Sequence, residues 1–252
     1  MKILAVGAHP DDIEFTCGGT LALLAEAGHE IAMMTVNNGS CGTAVHSREE
    51  IIAIRAEEAR AAAAIIGASY HCAGIDDMRA VFDNDCRNRV TELFRKVAPE
   101  MVICPPVSDY MTDHEMAGQL TRDAAFTASL PNFKTGDPES AEPTSGHVHL
   151  YYVDPIEGKD PFGERVPFST AVNVETVMNI KKKMLACHAS QRDWLRRQHG
   201  IDQYLLTMEQ WTRDAGKRAS LPCAELFRQH LGHPYPTDNL LTSLLGESLT
   251  RP

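Results

Sequence analysis

Short apolar runs alternate with longer stretches of helical periodicity from residue 2 onward, and this alternation restricts the fold more than any single motif does. Lys2–Gly7 reads as a buried strand and Gly18–Ala27 as a helix starting on two small residues. His29–Asn37 reads as a second strand ended by the Asn38-Gly39 turn signal. Ser47–Ile66 has a long Ala-rich helical pattern, with Ser47 and Glu50 spaced as a capping box and Gly67 as the stop. Further strands are expected over Ser69–Ile75, Met101–Pro105, His147–Val153 and Thr170–Val174, with helices over Asp83–Val97, His114–Ala128 and Glu175–Leu195. Pro131–Ser145 reads as a surface loop. Beyond Gly200 the pattern is helical to about Lys217, and the last twenty residues, with Pro234 and Pro236, read as a partly extended tail. Strands that take turns with helices are most economically joined as an α/β, Rossmann-like three-layer fold, a mainly parallel sheet with helices on both faces. At 252 residues, with no repeat and no low-complexity linker, one domain over 1–252 is expected, carrying a helical C-terminal extension from about 200.

Charge narrows the range of partners. The formal net charge of −10 repels a phosphate backbone or an anionic bilayer, and the only basic triplet, Lys181 to Lys183, falls within a helix. Neither nucleic acid nor membrane insertion is expected, and no stretch approaches the roughly 20 apolar residues that span a bilayer. The seven cysteines are odd in number and contain no CxxC pair, so reduced thiols and a cytoplasmic location are expected.

The sharpest local feature is His9-Pro10-Asp11-Asp12, placed straight after the first strand. In an open α/β sheet the loops at the carboxyl ends of the strands form the ligand crevice. There His9 and Asp12 can be offered to a divalent ion while Asp11 stays free as a base. A catalytic zinc site usually has three protein ligands and one open position, and His114 of Asp113-His114, following the strand Met101–Pro105, supplies the third. It is within reach because strands one and four of such sheets are neighbours. The donor set favours zinc, although iron, cobalt or nickel fit it too. Alternatively, His9-Pro10-Asp11-Asp12 serves only as a turn with a helix cap. His147 and His149 share a strand face but lack an obvious carboxylate partner, so a second metal is not expected; nor is a regulatory thiol at Cys41.

With these stretches the sequence resembles the PIG-L (LmbE-like) family of zinc-dependent de-N-acetylases. The resemblance runs through Ala8 to Glu14, Cys17 to Leu21, Thr35 to Gly42, Arg55 to Gly67, Asp109-Tyr110 with Asp113-His114, Lys183 to Gln191, and Ala224 to Arg228. It implies one zinc per chain held by His9, Asp12 and His114, with Asp11 as general base. The implied reaction removes an N-acyl, typically N-acetyl, group from an amino sugar or related small molecule. Arg55, Asp77, Asp109 and Met111 fall where members contact substrate. Arg55 could instead pair with Glu58 or Glu49 along its helix, and Asp77 could cap a turn. His188, Ser190 and Gln191 match a pattern that also suits a helix end.

Two positions depart from the pattern. Met111 stands where many relatives carry a histidine able to steady the oxyanion, and Thr112 replaces the usual proline. Tyr110, or His188 brought in from the C-terminal helix, could supply the missing hydrogen bond. Ser40 stands where a glutamate commonly follows the second strand. The alternatives left open are a zinc amidase acting on a thiol conjugate or other non-sugar amide, and a catalytically impaired binding or scaffold relative. A homo-oligomer is expected from family habit and from Trp211, Leu226, Phe227 and Tyr235 beyond Gly200.

Overall fold

The structure, a computed structural model, describes residues 1–192 and 203–251. In chain order the strands are β1 (Lys2–Gly7), β2 (Glu30–Asn37), β3 (Ser69–Ile75), β4 (Met101–Cys104), β5 (His149–Val153), β6 (Thr170–Asn173), β7 (Ala224–Gln229) and β8 (Thr250–Arg251). The helices are α1 (Asp12–Thr16), α2 (Gly18–Glu26), α3 (Arg48–Ala64), α4 (Asn84–Val97), α5 (Thr112–Thr127), α6 (Met178–Ala186), α7 (Gln203–Arg218) and α8 (Leu240–Leu245).

One eight-stranded sheet runs in the order β3-β2-β1-β4-β5-β7-β6-β8. Its first five strands are parallel, and β7, β6 and β8 pair antiparallel. Alternate residues of β1 serve two cores. Ile3 and Ala5 pack with Leu21 and Leu24 of α2, Met184 of α6 and Met208 of α7. Leu4 and Val6 pack with Val90 and Phe94 of α4 and with Leu120 and Ala124 of α5. A strand buried on both faces must be apolar at every position, which is why β1 and β4 read as unbroken apolar runs. The capping box at the start of α3 forms as expected, Ser47 accepting from Glu50 N–H while the Glu50 carboxylate accepts from Ser47 N–H.

The C-terminal third departs from the sequence reading. The helix expected over Glu175–Leu195 is broken: a 3-10 turn over Glu175–Val177 leads into α6, which ends at Ala186, and residues 193–195 lie outside the described residues. The break follows from tertiary contacts. His188 is fully buried against Glu14, at 3.0 Å, and Ser190 donates through N–H and Oγ to Glu58 of α3 at 2.7 and 2.6 Å. The supposed tail carries α8 and β8. Ala224–Gln229, for which no strand was expected, is an internal strand joining β5 to β6. Leu226, Phe227 and Tyr235, expected at a subunit contact, are buried within the chain. The start of the expected extension, at about 200, lies outside the described residues. Among the described residues no helix is long and apolar enough to cross a membrane.

Candidate metal centre

β1 and β4 are hydrogen-bonded neighbours, so the loops leaving their carboxyl ends face each other. The β1 loop turns sharply into α1, and Asp11 takes φ 119°, a conformation rare for any residue but glycine. That backbone turn places Asp12 in the first turn of α1, where its Oδ2 accepts from His9 N–H at 2.7 Å. The β4 loop ends in α5, whose first turn holds Asp113 and His114. One ligand atom from each of His9, Asp12 and His114 lies within 4.8 Å of the other two. His9 Nδ1 is 3.7 Å from Asp12 Oδ2 and His114 Nε2 is 3.6 Å from Asp12 Oδ1.

The far nitrogen of each imidazole faces a buried carboxylate. His9 Nε2 lies 2.9 Å from Asp113 Oδ2, and His114 Nδ1 lies 2.9 Å from Asp109 Oδ1. A carboxylate behind a histidine fixes the ring's tautomer and orientation and makes the free nitrogen a better donor. Asp109, expected among substrate contacts, thus holds His114 and also accepts from Met111 N–H at 3.2 Å. Asp113 had been read only as the neighbour of a ligand; its spacing from His9 in sequence is too long for any local signal. It also accepts from Met78 N–H, at 2.8 Å.

The charge state of the cluster agrees with a cation between these groups. Burial opposes ionisation of Asp12, yet His114 and His9 outweigh it and hold the carboxyl well below the usual carboxylate range. Burial also disfavours the His9 cation, but the Asp113 hydrogen bond and Asp12 overcome it and raise the pKa to about 10. The three donors therefore sit where positive charge is favoured. Two imidazoles and a carboxylate, each backed by a hydrogen bond, match what zinc takes from a protein, so the residues fit the ion.

Asp11 is buried beside them, and burial pushes its pKa up while Arg55 works against that rise. Arg55 Nη2 lies 3.4 Å from Asp11 Oδ1 and donates to the Pro10 carbonyl at 2.5 Å. The alternative partners within its own helix are not used. Gly39, at φ 82°, and Gly42 let the loop after β2 pass directly over this guanidinium, since a Cβ at Gly39 would come within 2.6 Å of Arg55 Cδ. Asp77 anchors the same loop, accepting from Gly39 and Cys41 N–H at 2.8 and 2.9 Å. Tyr204, of α7, donates to Asp11 Oδ2 at 2.5 Å. Nothing in its sequence context marked it, because α7 is almost two hundred residues downstream of the loop it meets.

These groups line a cavity of about 560 Å³, together with Tyr110, Met111, Met78 and Trp211. Tyr110 is 70% exposed and stands edge-on to His114, so it can approach a ligand. His188 does not line this cavity. It was expected as a substitute hydrogen-bond donor, but it is spent on Glu14 beneath the site. His149 likewise has an ordinary partner, Asp238 at 2.9 Å.

The family described as PIG-L, GlcNAc-PI de-N-acetylase, matches residues 4–125. The diacetylchitobiose deacetylase of Thermococcus kodakarensis is 29% identical over 75% of this chain and 70% of its own length. A deacetylase of Escherichia coli, YaiS, described as uncharacterized, is 36% identical over 53% of this chain and 68% of its own. Among solved structures, GalB, the 4-carboxy-2-hydroxymuconate hydratase of Pseudomonas putida, superposes with a TM-score of 0.74 at 25% identity, covering 94% of this chain and 98% of that one.

Proposed function

The chain belongs to the PIG-L family, and from that premise we propose that it is a zinc-dependent hydrolase removing an N-acyl group, typically acetyl, from the nitrogen of an amino sugar. The observation that carries the reading is the convergence of His9, Asp12 and His114, each imidazole backed by a carboxylate, beside the second carboxylate of Asp11. Zinc, when bound by these three, supplies Lewis acidity and makes water acidic enough to attack near neutral pH. Asp11 takes the proton of the attacking water and returns it to the departing nitrogen. Arg55 and Tyr204 hold the Asp11 carboxylate for both transfers, and the role of donor to the developing oxyanion falls to Tyr110, supported by its exposed position edge-on to His114. Met111 offers only an apolar wall. The intact ligand set and base favour an active enzyme over a scaffold relative. Seven free cysteines, several deeply buried, suit the cytoplasm.

The test is amine release by zinc-loaded protein from N-acetylglucosamine compounds. Asp11→Asn should retain one zinc per chain while kcat falls about 10²- to 10⁴-fold. Full turnover by that variant would remove Asp11 from the chemistry. A second reading, addition of water across a conjugated carbon–carbon double bond of a small acid, is favoured by the whole-length likeness to a hydratase. On this chain it would draw on the same donor set and on the buried carboxylate of Asp11. Loss of ultraviolet absorbance from a conjugated unsaturated tricarboxylate, with no amine released from any amide, would select it.

A further inference from the structure

The chain leaving β3 makes a four-residue turn, Asp76-Asp77-Met78-Arg79, closed by Arg79 N–H donating to the Asp76 carbonyl at 3.1 Å. Met78, its third residue, takes φ 61° and is the only one of the four at positive φ. That is the pattern of a type II turn, whose third position favours glycine or asparagine because a larger side chain there crowds its own backbone. The Met78 side chain is 57% exposed at the edge of the metal cavity, too open for packing to impose the conformation.

Hydrogen bonds on either side impose it instead. The Asp76 carboxylate accepts from Asn38 Nδ2 at 2.7 Å and from Arg48 Nε at 3.1 Å, and its carbonyl also accepts from Asn37 Nδ2 at 2.9 Å. Asp77 N–H donates to Ser40 Oγ at 3.0 Å, while its carboxylate holds Gly39 and Cys41. What this anchored turn delivers is a single N–H. Met78 donates to Asp113 Oδ2 at 2.8 Å, the same oxygen that lies 2.9 Å from His9 Nε2. A carboxylate bound to the ring alone could turn about its side-chain torsion. A second donor on the same oxygen fixes where that oxygen stands, and with it the orientation of the imidazole. Backbone strain persists where the surroundings over-determine it, and it collects at functional sites.

We propose that Met78 is a positioning residue for the metal centre: its left-handed backbone aims one N–H at Asp113 and so sets the imidazole of His9 for the ion. The inference rests on the reading of His9, Asp12 and His114 as zinc ligands. It makes residue 78 answerable to backbone preference, not to the size or polarity of its side chain.

The test compares full-length wild type, Met78→Gly, Met78→Asn and Met78→Val by competition titration for zinc. Glycine and asparagine accept positive φ and keep the N–H, so their zinc Kd should stay within about twofold of wild type. Valine, branched at Cβ, resists that conformation and draws the N–H away from Asp113, so Kd should rise about tenfold or more. In an Asp113→Ala background, Met78→Val should add no further loss, because the link is already cut. Should Met78→Val fail to fold, replacing Met78 by its α-hydroxy acid analogue turns the N–H into an ester oxygen with the side chain kept, and the same rise in Kd is expected. A role in loop stability alone would lower Tm without moving Kd. Wild-type affinity in Met78→Val or in the ester, equal losses in Met78→Gly and Met78→Val, or losses that add to that of Asp113→Ala overturn the positioning role and leave the zinc reading standing. Failure of wild type itself to bind one zinc per chain overturns that reading and this inference with it.

Discussion

At the scale of single residues, the metal donors and the carboxylates behind them make separable contributions. Substituting His9, Asp12 or His114 by alanine removes a ligand, and zinc measured by elemental analysis after dialysis should fall to background. Asp109→Ala and Asp113→Ala leave all three ligands but release an imidazole from its orienting partner. Zinc affinity in a competition titration should drop about 10- to 100-fold for each. Unchanged affinity in both variants would mean the rings are held by packing alone. Tyr204→Phe deletes one hydrogen bond to Asp11 and leaves His9, Asp12 and His114 with all their partners. Zinc content should stay at wild-type level and KM should hold while kcat falls; a fall in metal content instead would assign Tyr204 to the architecture of the loop. The convergence of His9, Asp12 and His114 was legible because they sit at ends of apolar runs, where an α/β sheet gathers its binding residues. Asp113 and Tyr204 were not, because each acts on a residue about a hundred or more positions away.

At the scale of elements, α2 begins against a buried ion pair. Glu225 of β7 accepts from Gly19 and Thr20 N–H at 2.9 and 2.6 Å and meets Lys181 of α6 at 2.5 Å. The free N–H groups at a helix start carry partial positive charge, so a carboxylate there is favourable, and Lys181 balances it inside the core. Removing one partner leaves the other charged and buried. Lys181→Met should cost about 3–5 kcal/mol in urea unfolding, and adding Glu225→Gln should recover part of that loss. Additive losses would show that the two side chains act independently. Asp83 caps α4 by accepting from Cys86 N–H at 2.9 Å, and that bond lowers its pKa below the usual 3.8. A depressed carboxyl stabilises the fold above its unfolded pKa and loses the effect as pH falls through its folded value. Asp83→Ala should therefore melt earlier than wild type at pH 7, with the gap closing as the solution is acidified below pH 3.8. The capping box of α3 was readable from Ser47 and Glu50, four adjoining positions. The break after α6 was not, since it depends on Glu14 and Glu58 from distant segments.

At the scale of the whole molecule, the segment after residue 203 completes both the sheet and the cleft. β7 is the only strand to bridge β5 and β6 among the described residues, and α7 brings Tyr204 and Trp211 to the cavity. A chain truncated after residue 192 should be recovered mainly as aggregate, since β5 and β6 would expose unpaired edges; a monodisperse folded product by light scattering would contradict this. Light scattering of the full chain also tests the homo-oligomer. The amino-acid sequence by itself determined the alternation that makes a parallel sheet and the candidate metal donors placed at its crest, because both are written in local periodicity and in neighbours along the chain. Only the tertiary structure decided which carboxylate stands behind each imidazole, which tyrosine reaches Asp11 and where β7 enters the sheet. Those contacts join segments whose separation carries no local signal, and their geometry exists only once the two cores have packed.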